Sequence, residues 1–251
     1  MERSDGAVVE ANVVQDQYGV AVTVGSSSMV RVERNVVDRA LGGVHLHRVD
    51  ASAVTANRLE GSALPFVLWQ GAGNRVLGNV VVDPMPGWGA VILVETRANV
   101  LSGNAVEGTG VAFSLWTSEG DTVEGNVVLA GEGALQGLAA RDAHALLVKG
   151  NRFEGHPEGG VFLQGSSARV EGNRFVGNGN GVGAAAVEAH GAQAQVHNNA
   201  FVGNHLGVRE LGPGAVDARH NWWGCVQGPK HPACDGAEGD VKVAPWLKAP
   251  P

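Results

Sequence analysis

Residues 199–224 read NAFVGNHLGVRELGPGAVDARHNWWG. The stretch opens on Asn199-Ala200-Phe201 and closes on Asn221-Trp222-Trp223, so an Asn followed two places later by a large apolar residue returns after 22 residues. The same pair recurs upstream at Asn12, Asn35, Asn57, Asn79, Asn104, Asn126, Asn151 and Asn173, with Val14, Val37, Leu59, Val81, Val106, Val128, Phe153 and Phe175 as partners. Successive Asn residues stand 23, 22, 22, 25, 22, 25, 22, 26 and 22 apart. A fixed period of this size marks a solenoid, in which one repeat cannot bury its apolar face alone and stacking completes the core.

Within each period, Val32, Val54, Val76, Leu101, Val123, Val148, Val170, Val196 or Ala218 precedes the next Asn by three residues. Further upstream lie alternating runs such as Val44-His45-Leu46, Phe66-Val67-Leu68, Phe113-Ser114-Leu115 and Val161-Phe162-Leu163, several of them preceded by Gly (Gly43, Gly110, Gly137, Gly160, Gly207). Three short strand signals separated by turn residues therefore fill each period, and no segment carries a helical apolar stripe. The reading is an all-β, single-stranded parallel β-helix of about ten coils, each strand pairing with its equivalent about 4.8 Å away. The Asn is expected at a left-handed bend, with its amide hydrogen-bonding along the axis as a ladder. The three longer spacings are insertions on one variable turn.

The ten Asn-x-apolar units resemble the repeats of right-handed parallel β-helix proteins, both pectate-lyase-like and carbohydrate-binding. The ending NWWGCVQGPKHPACDGAEGDVKVAPWL, residues 221–247, is similar to the terminal coil and cap of secreted members. The resemblance implies one β-helix domain over 1–251, with 222–251 as a cap. Cys225 and Cys234, nine apart in that cap, form a disulfide in exported members of this kind. The residues alone also allow two free thiols, or a zinc site with His220 and His231 at no standard spacing. The fold hosts lyases, hydrolases, epimerases and non-catalytic surface proteins, so it does not choose among them.

Composition narrows the field. With 25 acidic and 18 basic residues and no basic stripe, nucleic acid is not an expected partner. No run of 18 apolar residues is present, so no membrane span is expected. The opening MERSDGAVVEANVV has no apolar signal-peptide core, and the repeat is under way by Asn12 without a polar cap. An uncapped solenoid end points to a further chain or domain there. The disulfide reading places the protein in the extracellular space or periplasm.

The first strand of each coil should present alternate residues outward. One column reads Thr23, His45, Val67, Ile92, Ser114, Ala139, Phe162, Glu188, Arg209, and the next reads Gly25, His47, Trp69, Val94, Trp116, Arg141, Gln164, His190, Leu211. Trp69 and Trp116, two coils or about 10 Å apart, offer flat apolar faces for sugar rings. A bland alternative is that an insertion covers them. His47, Gln70, Gln164, Glu188 and His190 complete the candidate ligand-binding set. One residue further on, a polar column runs Ser26, Arg48, Gln70, Glu95, Thr117, Asp142. Glu95 and Asp142 are candidate catalytic carboxylates, since inverting glycosidases hold such a pair about 6.5–9.5 Å apart. Arg141 beside them would tune a carboxylate or hold a uronate. The same residues also read as an ordinary solvated turn. His45 and His47 form a metal-chelating spacing, and one relative of the resembled family delivers copper in the periplasm, but no converging third donor is legible. No metal and no cofactor are expected.

The sequence carries no G-x-S-x-G elbow, P-loop or H-E-x-x-H motif, and none of the pectinase acidic signatures. The expectation is thus a non-catalytic or scaffold-like domain that binds a polysaccharide. The alternative is a polysaccharide lyase, glycoside hydrolase or epimerase working on the outer face of the first-strand sheet.

Overall fold

The computed structural model describes residues 2–85, 89–179 and 185–251. Among them every regular element is a strand, and every strand pairing is parallel. The chain winds as a β-solenoid of about ten coils, as the period requires. A representative coil runs through Leu64–Trp69, Arg75–Leu77 and Val80–Val82. The middle strands stack into an eleven-stranded sheet, while the first and third strands share an eighteen-stranded one. That sharing arises because third and first strands run on without a break in two early coils, Val13–Ser28 and Val36–Asp50.

The Asn ladder is continuous. Each Oδ1 accepts two hydrogen bonds from the preceding Asn, one from its backbone N–H and one from Nδ2, as Asn57 does from Asn35 at 2.9 Å each. From Asn35 onward each Nδ2 also donates to a carbonyl in the preceding coil, as Asn57 does to Val32 at 2.9 Å. The pattern extends from Asn12 to Asn221. From Asn35 onward the ladder residues are buried, so these bonds satisfy amides that water does not reach. One detail differs from expectation. The left-handed residue is the one before each Asn: Arg34, Ala56, Gly78, Gly103, Gly125, Gly150, Gly172, Asn198 and His220 all have positive φ. The Asn itself turns its side chain inward, and its neighbour absorbs the bend.

The interior is filled by the residues two places after each Asn. Val37, Leu59, Val81, Val106 and Val128 give way to Phe153, Phe175, Phe201 and Trp223, all buried. The aromatic rings stack with centroids 5.4, 5.3 and 5.0 Å apart. Space for them comes from the Gly before the facing strand. A Cβ on Gly137 would lie 2.5 Å from the Phe153 ring, and one on Gly160 would lie 2.6 Å from the Phe175 ring.

Two further polar ladders occupy the other corners. Ser52, Asn74, Asn99 and Asp121 link coil to coil between the first and second strands. His156, Asn178, Asn204 and Asp235 do so after the third strand. The insertions fall after the third strand, on the expected turn, although 86–88 and 180–184 lie outside the described residues.

Candidate outer-face binding site

Both outward columns keep the register read from the sequence, from Thr23 opposite His45 through Glu188 opposite Arg209, and from Gly25 opposite His47 through His190 opposite Leu211. Strand pleating sets them on one face. The first column is covered in its middle: Ile92, Ser114 and Ala139 are buried. Gly89, at the end of the first insertion, lies so close that a Cβ there would stand 3.1 Å from the Ser114 Cβ. The exposed line is therefore the second column.

Along that line Trp69 is 48% exposed, and its ring leans on His47 at 5.1 Å between centroids. Trp116 differs. It is half-buried, its indole N–H donates to Ser114 Oγ at 2.7 Å, and the Arg141 guanidinium caps its ring at 4.8 Å. Arg141 also lies 5.3 Å from the Phe162 ring. Cation–π contacts on two rings hold the guanidinium in place. No carboxylate pairs with Arg141 among the described residues. Gln164 follows, exposed. His190 comes next, with Nε2 2.5 Å from Glu188 Oε1 and its ring 4.9 Å from that of Phe162. From His47 to His190 the line spans six coil intervals, about 29 Å.

The polar turn column is also in place, and every member from Ser26 to Asp142 has positive φ. Arg48 Nε donates to Gln70 Oε1 at 3.3 Å, and Gln70 Nε2 donates to Glu95 Oε2 at 2.6 Å. Glu95 lines a shallow groove of about 490 Å³ with Asp50, Gln70, Arg97, Thr117 and Glu119. Asp142 is exposed one coil beyond Thr117 and does not line it. The two carboxylates proposed from the sequence thus share a column but not a groove.

A larger groove, about 740 Å³, lies on the outer face of the eleven-stranded sheet. Arg169, Gln193, Gln195, Asp217, Asp240 and Lys242 line it, and no candidate site residue does. Asp217 is tied to Arg219 at 2.6 Å, which holds its carboxyl well below the usual carboxylate range, with His197 3.1 Å away adding to the effect. Its acidic and basic side chains are equal in number, it has no aromatic lining, and Asp217 is already paired. Leu146, Leu147, Ala168, Ala194 and Val216 also line the groove, and in the sequence their alternation looks like that of any strand.

Residues 85–223 match the family described as "Periplasmic copper-binding protein (NosD)". That is more than half of the 251 residues. The chain belongs to the NosD family. No curated protein matches it in sequence. Among solved structures it is similar to an alginate lyase from Paenibacillus sp. str. FPU-7, at 12% identity and TM-score 0.65, over 92% of this chain and 99% of that one. It is also similar to the periplasmic alginate epimerase AlgG, at 10% identity and TM-score 0.57, over 97% and 77%. A third likeness is the Streptococcus pneumoniae surface protein and adhesin PfbA, at 8% identity and TM-score 0.55, over 94% and 91%. At these identities the likeness is one of fold.

The NosD description names copper, whose protein donors are thiolate, thioether and imidazole. His45 and His47 do not converge: His45 Nε2 is 3.0 Å from the Leu64 carbonyl, and His47 packs on Trp69. Among the described residues one group brings three His, Cys, Asp or Glu donors within 4.8 Å of one another, namely Cys225, His231 and Cys234. Cys225 and Cys234 are joined as a disulfide, with Cα atoms 5.3 Å apart. A disulfide supplies no thiolate, so in this oxidised form the residues do not fit copper.

Proposed function

We propose that this NosD-family domain works in the periplasm or outside the cell as a non-catalytic binder of an acidic polysaccharide, held along the second outward column. The observation that carries the reading is the exposed Trp69 on its His47 support, in line with the Trp116–Arg141 pair. An indole face offers a stacking surface for a sugar ring. An unpaired guanidinium, already fixed by two rings, offers a fork for a uronate carboxylate. Gln164 and His190 extend the same line with hydrogen-bonding groups. The disulfide fits an oxidising compartment. Among the described residues no helix is long and apolar enough to cross a membrane.

The test is retention on insoluble glycans. Trp69→Ala with Trp116→Ala should abolish retention without changing the circular dichroism, and Arg141→Gln should weaken it only on uronate-containing supports. Equal retention of the double variant removes the proposal.

The Glu188–His190 pair favours a second reading. A carboxylate-oriented imidazole on the outer face is the arrangement of a general base, so a lyase or epimerase would use His190 with Glu188 behind it. Unsaturated or epimerised uronate products from wild type, lost in His190→Gln, would select that reading over simple binding. Glu95, Asp142 and Arg141 remain its other candidates.

A further inference from the structure

The exposed line carries its free charges in a fixed order. Arg48 follows His47, Glu95 follows Val94, and Arg141 stands in the line itself. Successive charges are two coil intervals apart, about 10 Å, with Trp69 in the coil between the first two and Trp116 in the coil between the last two. None of the three forms an ion pair among the described residues. The screening length at physiological ionic strength is about 8 Å, so a ligand meets three separate charges rather than their sum.

Glu95 is held beside the open platform. Gln70, next to Trp69, donates from Nε2 to Glu95 Oε2 at 2.6 Å and accepts from Arg48 Nε at 3.3 Å. The other two carboxylates of the shallow groove are engaged: Asp50 Oδ1 accepts from the Ala72 N–H at 2.8 Å, and Glu119 pairs with Arg97 at 3.3 Å. Glu95 keeps its charge uncompensated, and a sugar hydroxyl can donate to it. A uronate carboxylate at that place has no proton to donate at neutral pH and is repelled. At Arg141 the preference is reversed. Asp142 does not cancel it there, because its carboxylate turns over the next coil, where a Cβ on Gly165 would stand 2.6 Å from Oδ1.

We propose that the line selects a heteropolysaccharide whose acidic residues are separated by neutral ones, and that Glu95 is the residue that rejects a continuous run of uronates. A pyranose chain laid along the solenoid advances by about one coil spacing per residue. Neutral sugars then lie over Trp69, Glu95 and Trp116, between acidic residues at Arg48 and Arg141, four coil intervals or about 19 Å apart. The inference rests on the polysaccharide reading and narrows it.

The test measures Kd of the full chain for polygalacturonate, in which every residue is acidic, and for glucuronoxylan and hyaluronan, in which neutral residues separate the acidic ones. Wild type should bind at least one of the spaced polymers on the order of tenfold more tightly than polygalacturonate. Glu95→Gln keeps an acceptor for Gln70 and should tighten polygalacturonate on the order of fivefold, with little change on the spaced polymers. High salt should erase that gain, which a merely structural effect of the substitution would survive. Equal or tighter wild-type binding of polygalacturonate, or no gain in Glu95→Gln, overturns the inference and leaves the polysaccharide reading standing. Failure of wild type to bind any of the three polymers counts against the polysaccharide reading itself and takes the inference with it.

Discussion

The two ends of this solenoid solve one packing problem in different ways. From Val37 to Val128 the interior column is aliphatic, and the extra polar ladder of Ser52, Asn74, Asn99 and Asp121 lies between the first and second strands. From Phe153 to Trp223 the column is aromatic, and the extra ladder of His156, Asn178, Asn204 and Asp235 lies after the third strand. At the corner the first ladder vacates stand Leu146, Ala168, Ala194 and Val216, all buried. The polar corner and the bulk of the core change places together. Close packing leaves the wide rings room only where the facing wall carries Gly, as Gly137, Gly160 and Gly207 do.

The largest expected effect tests the aromatic wall. Phe175 stacks between Phe153 and Phe201, so Phe175→Ala removes ring contacts on both sides and leaves a cavity faced by Gly160. A loss of about 3–5 kcal/mol is expected, against about 2 kcal/mol for Val81→Ala in the aliphatic wall. Chemical denaturation of the two variants measures the difference. Equal losses would mean that the change of column has no energetic consequence.

The next effect concerns the aromatic-end ladder and acid. His156 is 2% exposed, and burial pushes its imidazole down to about 4, partly offset by the Val128 carbonyl. A depressed histidine contributes stability above its unfolded value and loses it as pH falls toward the folded one. The window runs from about 6.5 down to about 4, and the loss reaches about 3 kcal/mol. Amide protection factors between His156 and Asn178, corrected for the intrinsic exchange rate at each pH, should therefore fall in acid. In His156→Asn, which fits the ladder pattern of Asn178, most of that acid dependence should vanish. Parallel acid responses in the two proteins would contradict this.

The main ladder and both outer columns were legible because each side chain repeats at one phase of the period. The two minor ladders were not. Asn74, Asn99 and Asp121 stand five residues before ladder asparagines, and Asn178 and Asn204 stand five after, but each run is short and mixes Ser, Asn, Asp and His. A column that changes residue type gives a weaker signal than ten asparagines in phase. Trp116 read as a second open platform, yet Arg141 in the next coil covers its ring. That contact depends on side-chain direction, which strand alternation does not specify. The groove on the eleven-stranded sheet was equally hidden, because its lining residues come from six successive coils and no residue type repeats in phase through them.

The smallest expected effect compares the ladder ends. Asp121 closes the aliphatic-end ladder and is buried; its Oδ1 accepts from the Asn99 backbone at 2.7 Å and its Oδ2 from Thr96 Oγ1 at 2.8 Å. Burial raises its carboxyl above the ordinary value, and the hydrogen bonds from Asn99 and Thr96 only partly offset this. A raised carboxyl favours the fold while protonated and loses that contribution as pH climbs through the folded value. Asn at this position keeps the acceptor for Asn99 and can donate to the Thr96 hydroxyl. Asp121→Asn should match wild type in acid and exceed it by about 1 kcal/mol at neutral pH, where the buried charge is gone. Asp235 closes the other ladder with a carboxyl raised by the same cause, so Asp235→Asn should behave alike if position within a ladder sets the effect. A gain at Asp121 with none at Asp235 would instead assign it to the aliphatic surroundings of the first ladder.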